Sequence, residues 1–112
     1  MRSRIIYSFF IFILSFGIFA KDPDILIIDV RTEAEWNLGY IENAIHIPLD
    51  TIEKNITFTE PDKNKEIYLY CRSGNRSGKA TSILQNLGYK NVTNIGGIQS
   101  ASTNLSLSLI HI

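Results

Sequence analysis

The chain opens on an apolar block and then changes rhythm. After Met1-Arg2-Ser3-Arg4, the stretch from Ile5 to Phe19 is almost wholly apolar, and it ends at Ala20 before the polar run Lys21-Asp22-Pro23-Asp24. From there the hydrophobic positions come in short bursts. Ile25-Leu26-Ile27-Ile28-Asp29-Val30 is a nearly continuous apolar run, the pattern of a strand buried on both faces. Thr32-Glu33-Ala34-Glu35 sets a threonine three residues ahead of a glutamate, a capping box that predicts a helix reaching about Leu38 and ended by Gly39. Ala44-Ile45-His46-Ile47 predicts a second brief strand stopped by Pro48, and Leu49 to Ile56 a short helix. The polar stretch from Thr57 to Lys65, with its one proline, predicts a connecting loop.

Glu66-Ile67-Tyr68-Leu69-Tyr70, rich in aromatic and β-branched residues, predicts a third strand. The seven residues Cys71 to Ser77 contain Gly74 and no large apolar side chain, so they read as a loop. A helix then starts at Ser77 or Gly78, carries Ala80, Ile83, Leu84 and Leu87 at helical spacing, and closes with Gly88 just past its end. Asn91 to Ile95 predicts a fourth strand and Gly96-Gly97 a turn. Strands alternating with helices argue for an α/β fold with a mostly parallel central sheet flanked by helices. In the tail, 101–112, Leu105, Leu107 and Leu109 alternate with serines at a strand period, without capping or turn signals. An edge strand, an unordered end and an altered reading frame all fit that pattern.

Length and charge narrow the picture. One hundred and twelve residues hold one domain. Eleven basic residues balance eleven acidic ones, so no electropositive footprint points to nucleic acid. The basic opening, short apolar run and final alanine make a secretory signal peptide over 1–20, which leaves 21–100 as the domain and sends it outside the cytoplasm, to the periplasm or beyond. The run of about fifteen residues falls short of the ~20 that a spanning helix needs. Ile18, three residues before a cleavage after Ala20, is larger than usual there, so an uncleaved N-terminal anchor stays open beside cleavage. Any membrane attachment would run through 1–20 alone. Arg2 and Arg4 leave with the signal, and nothing in the rest demands more than a monomer.

A small exported domain often leans on disulfides, but a single cysteine can form none internally. An odd cysteine in such a protein is either a buried passenger or a thiol kept for its chemistry. Cys71 follows a strand and precedes a helix, where ligands bind in open α/β sheets. Unpaired N–H groups and the helix dipole favour a thiolate there, and Arg72 and Arg76 add two positive charges nearby. Gly74 lets successive N–H groups turn inward as an anion nest, and Ser73, Asn75 and Ser77 are small polar donors that leave room for a substrate. The structural alternative for Cys71 must also explain that company, and the reactive reading is preferred.

The pattern resembles the rhodanese family in its single-domain exported form. Cys71-x-x-Gly74-x-Arg76 is similar to that family's active-site loop. Asp29-Val30-Arg31, Glu35-Trp36 and Gly39-Tyr40-Ile41-Glu42-Asn43-Ala44-Ile45-His46-Ile47-Pro48 are similar to its N-terminal signature, and Leu87-Gly88-Tyr89, Asn91-Val92 and Gly96-Gly97 to its end. The resemblance spans residues 25 to 97. Two departures stand out: Tyr40 where histidine is common, and the absence of an aromatic-bearing final helix after Gly96-Gly97.

The resemblance implies a rhodanese-like fold and sulfur transfer in two steps, without a cofactor. A Cys71 thiolate takes the outer sulfur of a small anionic donor such as thiosulfate, and a thiol, a protein or cyanide accepts it from the persulfide. Arg72, Ser73, Gly74, Asn75, Arg76 and Ser77 would bind the donor, and Asp29 with Arg31 would brace the site as an ion pair. Trp36 is expected to pack in the core rather than recognise, and His46 to be a satisfied core histidine. His46 and His111 lack metal-ligand spacing with Cys71. A cysteine phosphatase needs Cys-x5-Arg, one residue longer than Cys71 to Arg76. The rival outside enzymology is a persulfide carrier or redox-sensing thiol module.

Overall fold

The computed structural model describes residues 25–110; the expected signal segment lies outside that range, as do His111 and Ile112. Ten elements follow in order: β1 (Ile25–Asp29), α1 (Glu33–Asn37), β2 (Tyr40–Ile41), β3 (Ile45–His46), α2 (Leu49–Thr59), β4 (Glu66–Cys71), α3 (Asn75–Asn86), β5 (Asn91–Gly97), α4 (Ile98–Leu105) and β6 (Leu109–Ile110). The central sheet has the order β3-β1-β4-β5, and each neighbouring pair is parallel. This is the α/β architecture that the alternating elements predict. The apolar run of β1 is explained by its position between β3 and β4, with a core on each face.

The two cores divide the strand residues by alternation. Ile28 and Val30, with Ile67, Leu69 and Cys71 of β4, point to the face covered by α2 and α3, where Ile52, Ile56, Ala80 and Leu84 are fully buried. Ile27 and Tyr70 point the other way, to Ile41 and to Ala101 of α4. Partly buried Ile98, Leu105, Leu107 and Leu109 complete that second core.

Local signals place several ends. Thr32 caps α1 through the full capping box, its side chain accepting from Glu35 N–H while the Glu35 carboxylate accepts from Thr32 N–H. Gly88, at φ +102°, closes α3: its N–H reaches Gln85 O and that of Tyr89 reaches Leu84 O, the two bonds of a Schellman motif.

Two expectations, the end of α2 and the Gly96-Gly97 turn, need correction, and two regions take on structure that the sequence pattern left open. α2 runs on to Thr59, so the loop is shorter than 57–65; the helix is held by Ile52 and Ile56 in the larger core, and Thr59 Oγ1 satisfies itself on Asn55 O. Tyr40–Ile41 is a strand, formed because the tail reaches it. Gly96-Gly97 is no turn but the end of β5, one residue beyond a bulge that leaves Ile95 without a partner on β4. The tail is structured: α4 follows Gly97 directly as a final helix free of aromatics, and β6 pairs antiparallel with β2, Ile41 opposite Leu109.

Candidate active site

Cys71 ends β4 with its side chain directed at the larger core, and the residue has no exposed surface. The chain then turns within three residues. Helix α3 starts at Asn75 rather than at Ser77 or Gly78, so Asn75, Arg76 and Ser77 form its first turn and the loop proper is Arg72-Ser73-Gly74. No side chain caps this helix. Gly74 stands before it in the left-handed region, φ +101°, and its N–H donates to Cys71 Sγ at 2.9 Å. The sulfur itself takes up part of the helix's unpaired N–H groups.

Two glycines of β5 make this turn sterically feasible. A Cβ on Gly97 would stand 2.5 Å from Arg72 O, and one on Gly74 3.3 Å from Gly96 Cα. The Cys71 loop therefore rests on bare backbone at Gly96-Gly97.

Hydrogen bonding, rather than nearby cationic charge, dominates around the sulfur. Burial pushes the Cys71 thiol up, and the Ser77 hydroxyl together with the N–H groups of Ser77, Ser73 and Gly74 outweighs it, so the thiol is lowered to about 7. The sequence-based expectation named both the helix's unpaired N–H groups and the charges of Arg72 and Arg76; the N–H groups act on the sulfur, whereas the arginines are not among the leading causes. Arg76 instead turns to α1 and grips Glu35 with both terminal nitrogens, at 2.7 and 2.9 Å. That grip holds the Glu35 carboxyl down to about 2, with the Thr32 capping bonds helping against burial. Arg72, Ser73 and Asn75 are exposed.

One strand away, Asp29 and Arg31 form the expected ion pair at the end of β1. Arg31 Nε lies 3.0 Å from each Asp29 oxygen, Nη2 donates to Oδ2 at 2.7 Å and the Arg31 N–H to Oδ1 at 2.8 Å. Arg31 Nη2 also reaches Gly39 O at 2.6 Å. His46 is satisfied as expected, since its Nε2 lies 2.7 Å from Arg31 O and must donate to that carbonyl, but it is half-buried rather than a core residue. Trp36 packs, but in a half-buried stack rather than in either core, lying on Tyr40 at 3.8 Å between centroids and on His46 at 4.9 Å. An open groove of about 570 Å³, lined in part by Val30, Pro48, Leu49, Glu33, Asp50 and Arg76, lies beside these groups.

The site thus brings together Cys71, Gly74 and Ser77, diverts Arg76 to Glu35, and leaves Arg72 in solvent. Sequence reasoning missed Glu35 as Arg76's partner, the Gly96-Gly97 floor, and Asn94. The Asn94 side chain accepts from Ser77 Oγ at 2.6 Å and donates to Gly74 O at 3.0 Å. The adjacent glycine pair was the one signal in the sequence that pointed there. Among the described residues no group of three or more His, Cys, Asp or Glu is placed to hold a metal ion, and no helix is long and apolar enough to cross a membrane.

Comparison with known proteins adds a second line of observation. A family model described as rhodanese-like domain matches residues 18–103. The chain is 39% identical over 72 residues to the thiosulfate sulfurtransferase PspE of Escherichia coli, covering 64% of this chain and 69% of that protein. It is 38% identical over 81 residues to the tRNA uridine(34) hydroxylase of Hamiltonella defensa, covering 69% of this chain and 23% of that much longer protein. Among solved structures, a rhodanese with anions from E. coli superposes with a TM-score of 0.71 at 32% identity, covering 79% of this chain and 99% of that one.

Proposed function

The chain belongs to the rhodanese-like domain family, and on that premise we propose that it is a sulfurtransferase, moving sulfane sulfur from thiosulfate or a similar small anionic donor to a thiol or cyanide acceptor through a Cys71 persulfide. The observation that carries this reading is the sulfur's cradle: Gly74 N–H at 2.9 Å and Ser77 Oγ at 3.5 Å around a thiol lowered to about 7. Near neutral pH a large share of such a thiol is already a nucleophile.

In the first step the Cys71 thiolate attacks the outer sulfur of thiosulfate. A new S–S bond forms, the donor's S–S bond breaks, and sulfite leaves with its electron pair. The persulfide anion left behind receives N–H groups fixed in advance, the logic of an oxyanion hole. In the second step the acceptor attacks the outer sulfur, and the thiolate departs as leaving group. Arg72, exposed in the turn that follows Cys71, is a cation open to a dianionic donor; Arg76 is available only to a donor that displaces Glu35. Because Cys71 has no exposed surface, loading also requires the short Arg72-Ser73-Gly74 turn to yield. Asp29 and Arg31 brace the strand end without touching the donor. We place this chemistry outside the cytoplasm on the strength of the N-terminal sequence pattern, which fractionation of the full chain tests.

The buried sulfur also favours a second reading, a carrier that is loaded and unloaded by partner proteins rather than by small molecules. Intact mass separates the two. Incubated with thiosulfate, the protein should gain one sulfur atom and return it to cyanide as thiocyanate, with no gain in Cys71→Ser. A folded, reduced protein that takes up no sulfur from thiosulfate sinks the enzyme reading and leaves the carrier.

A further inference from the structure

A serine hydroxyl has one hydrogen to give, and Ser77 has two acceptors for it. Cys71 Sγ lies 3.5 Å from Ser77 Oγ, and Asn94 Oδ1 lies 2.6 Å from it. The orientation of the Asn94 amide is not free. Its nitrogen donates to Gly74 O at 3.0 Å, and its oxygen accepts the Gly96 N–H at 2.9 Å. A carbonyl can only accept and an N–H can only donate, so both contacts fix Oδ1 as the atom that faces Ser77. While Cys71 is a neutral thiol the shorter contact holds the Ser77 hydrogen on Asn94 and leaves the sulfur facing a hydroxyl lone pair; the Ser77 bond that helps lower the thiol forms only when the hydroxyl turns to the anion.

The bulge in β5 explains how Asn94 comes to be there. Leu69 pairs with Asn94 but Tyr70 pairs with Gly96, so the strand kinks at Ile95. Bulges of this kind re-aim a side chain next to a site. Here the kink turns Asn94 across the first turn of α3, onto both Ser77 and the Gly74 carbonyl.

We propose that Asn94 is a positioning residue that competes with Cys71 for the single hydroxyl proton of Ser77, and so sets how many hydrogen bonds the sulfur receives as it passes between thiol, thiolate and persulfide. With the hydroxyl turned to Asn94, the neutral thiol can donate its own S–H to Ser77 Oγ. When the sulfur becomes an anion, the hydroxyl must rotate towards it and give up Asn94. This inference deepens the sulfurtransferase reading and rests on it for its biological meaning, but its test needs no sulfur donor.

The other charged groups around the sulfur are few. Arg76 of α3 carries its charge beside Cys71 and is paired with Glu35 of α1; Asp29 and Arg31 at the end of β1 are paired with each other; Arg72 lies in the loop. β5 and α4 carry no ionisable side chain. Substitutions at Asn94 therefore act on the sulfur through Ser77 and Gly74, with little else on those elements to confuse them.

The experiment follows the pH dependence of Cys71 alkylation by iodoacetamide in the reduced protein. N94A frees the Ser77 hydroxyl for the sulfur and should raise the thiolate-to-thiol ratio at fixed pH roughly ten-fold, which moves the alkylation midpoint down. N94D offers Ser77 a stronger acceptor and places negative charge near the sulfur, so its midpoint should move up. In the S77A background the N94A effect should vanish and the N94D effect should shrink to that of its charge. Asn94 is exposed, and thermal melts of each variant show whether the fold is kept.

Midpoints that move the same way in N94A and N94D, or an N94A effect undiminished in S77A, would overturn the proposal in favour of a merely structural tether on Gly74. Failure of the wild-type protein to take sulfur from thiosulfate would instead count against the sulfurtransferase reading and leave these midpoints standing.

Discussion

Asp29–Arg31 and Glu35–Arg76 lie at the same end of the sheet, yet Asp29 has no exposed surface and the Arg31 side chain 8%, whereas the Arg76 and Glu35 side chains keep 30% and 24%. The first pair uses both carboxylate oxygens, a backbone N–H and the Gly39 carbonyl, and the Tyr70 ring lies 5.9 Å from the Arg31 guanidinium. The second is a two-pronged clasp between the first turn of α3 and a helix of five residues. A charge pair sealed from water is locked into the fold, because neither partner can be lost without stranding the other. A pair open to water adds little stability and can be exchanged for another anion. The two similar-looking arginines of the sequence, Arg31 and Arg76, therefore serve different ends.

The hardest way to break this contrast is to remove the buried carboxylate. D29A leaves the Arg31 guanidinium buried with Gly39 O as its remaining protein acceptor, and should cost about 3–5 kcal/mol of stability. Urea unfolding measures it. A loss below about 1 kcal/mol would mean that Arg31 escapes to solvent and that the two pairs are alike after all.

A smaller effect is expected next to that pair. The Tyr70 hydroxyl accepts the N–H of Ile41 at 3.0 Å, and both residues have no exposed surface. This bond ties β2 to β4, beside the Asp29–Arg31 pair. Y70F keeps the ring but leaves the Ile41 N–H unsatisfied, at a cost of about 1–3 kcal/mol. Hydrogen exchange adds a sharper test, with the Ile41 amide losing protection while β4 keeps its own.

What could be read from the sequence follows the same division between local and distant causes. The Thr32–Glu35 capping box and the Gly88 stop of α3 depend on neighbours within five residues, and both stand where the pattern places them. The Asp29–Arg31 pair, two residues apart, is equally local. The start of α3 escapes the sequence pattern because its cap is a sulfur and a left-handed glycine rather than a capping side chain. Ile98, Ala101 and Leu105 mark a helical face, but the stronger Leu–Ser alternation that follows points towards a strand. Glu35 is legible as a cap and not as the partner of Arg76, forty-one residues on. Asn94 reaches the site through a bulge, and a strand pattern alone gives no sign of one.

The mildest change acts on the open pair and sharpens the comparison most. E35Q keeps the capping box, which glutamine also serves, and removes the charge that faces Arg76. Its stability cost near neutral pH should be about 1 kcal/mol or less, because both side chains are partly hydrated. The acid behaviour is the distinctive part. The Glu35 carboxyl is held near 2 by Arg76, against an ordinary value of 4.5. A carboxyl depressed in the folded state adds stability that is complete above its unfolded value and is lost as pH falls through its folded one. Wild type minus E35Q should therefore be constant above about pH 5 and shrink between about pH 4.5 and 2, as urea midpoints across that range would record. A difference that ignores pH would show that Glu35 stabilises as a cap and not as a charge. Sulfur loading reports on the other side of the pair: with its carboxylate gone Arg76 is free for a dianion, so half-saturation should move to lower thiosulfate. A move to higher thiosulfate would mean that Glu35 holds Arg76 in place for the donor, and the open pair would then be fixed in position no less firmly than the buried one.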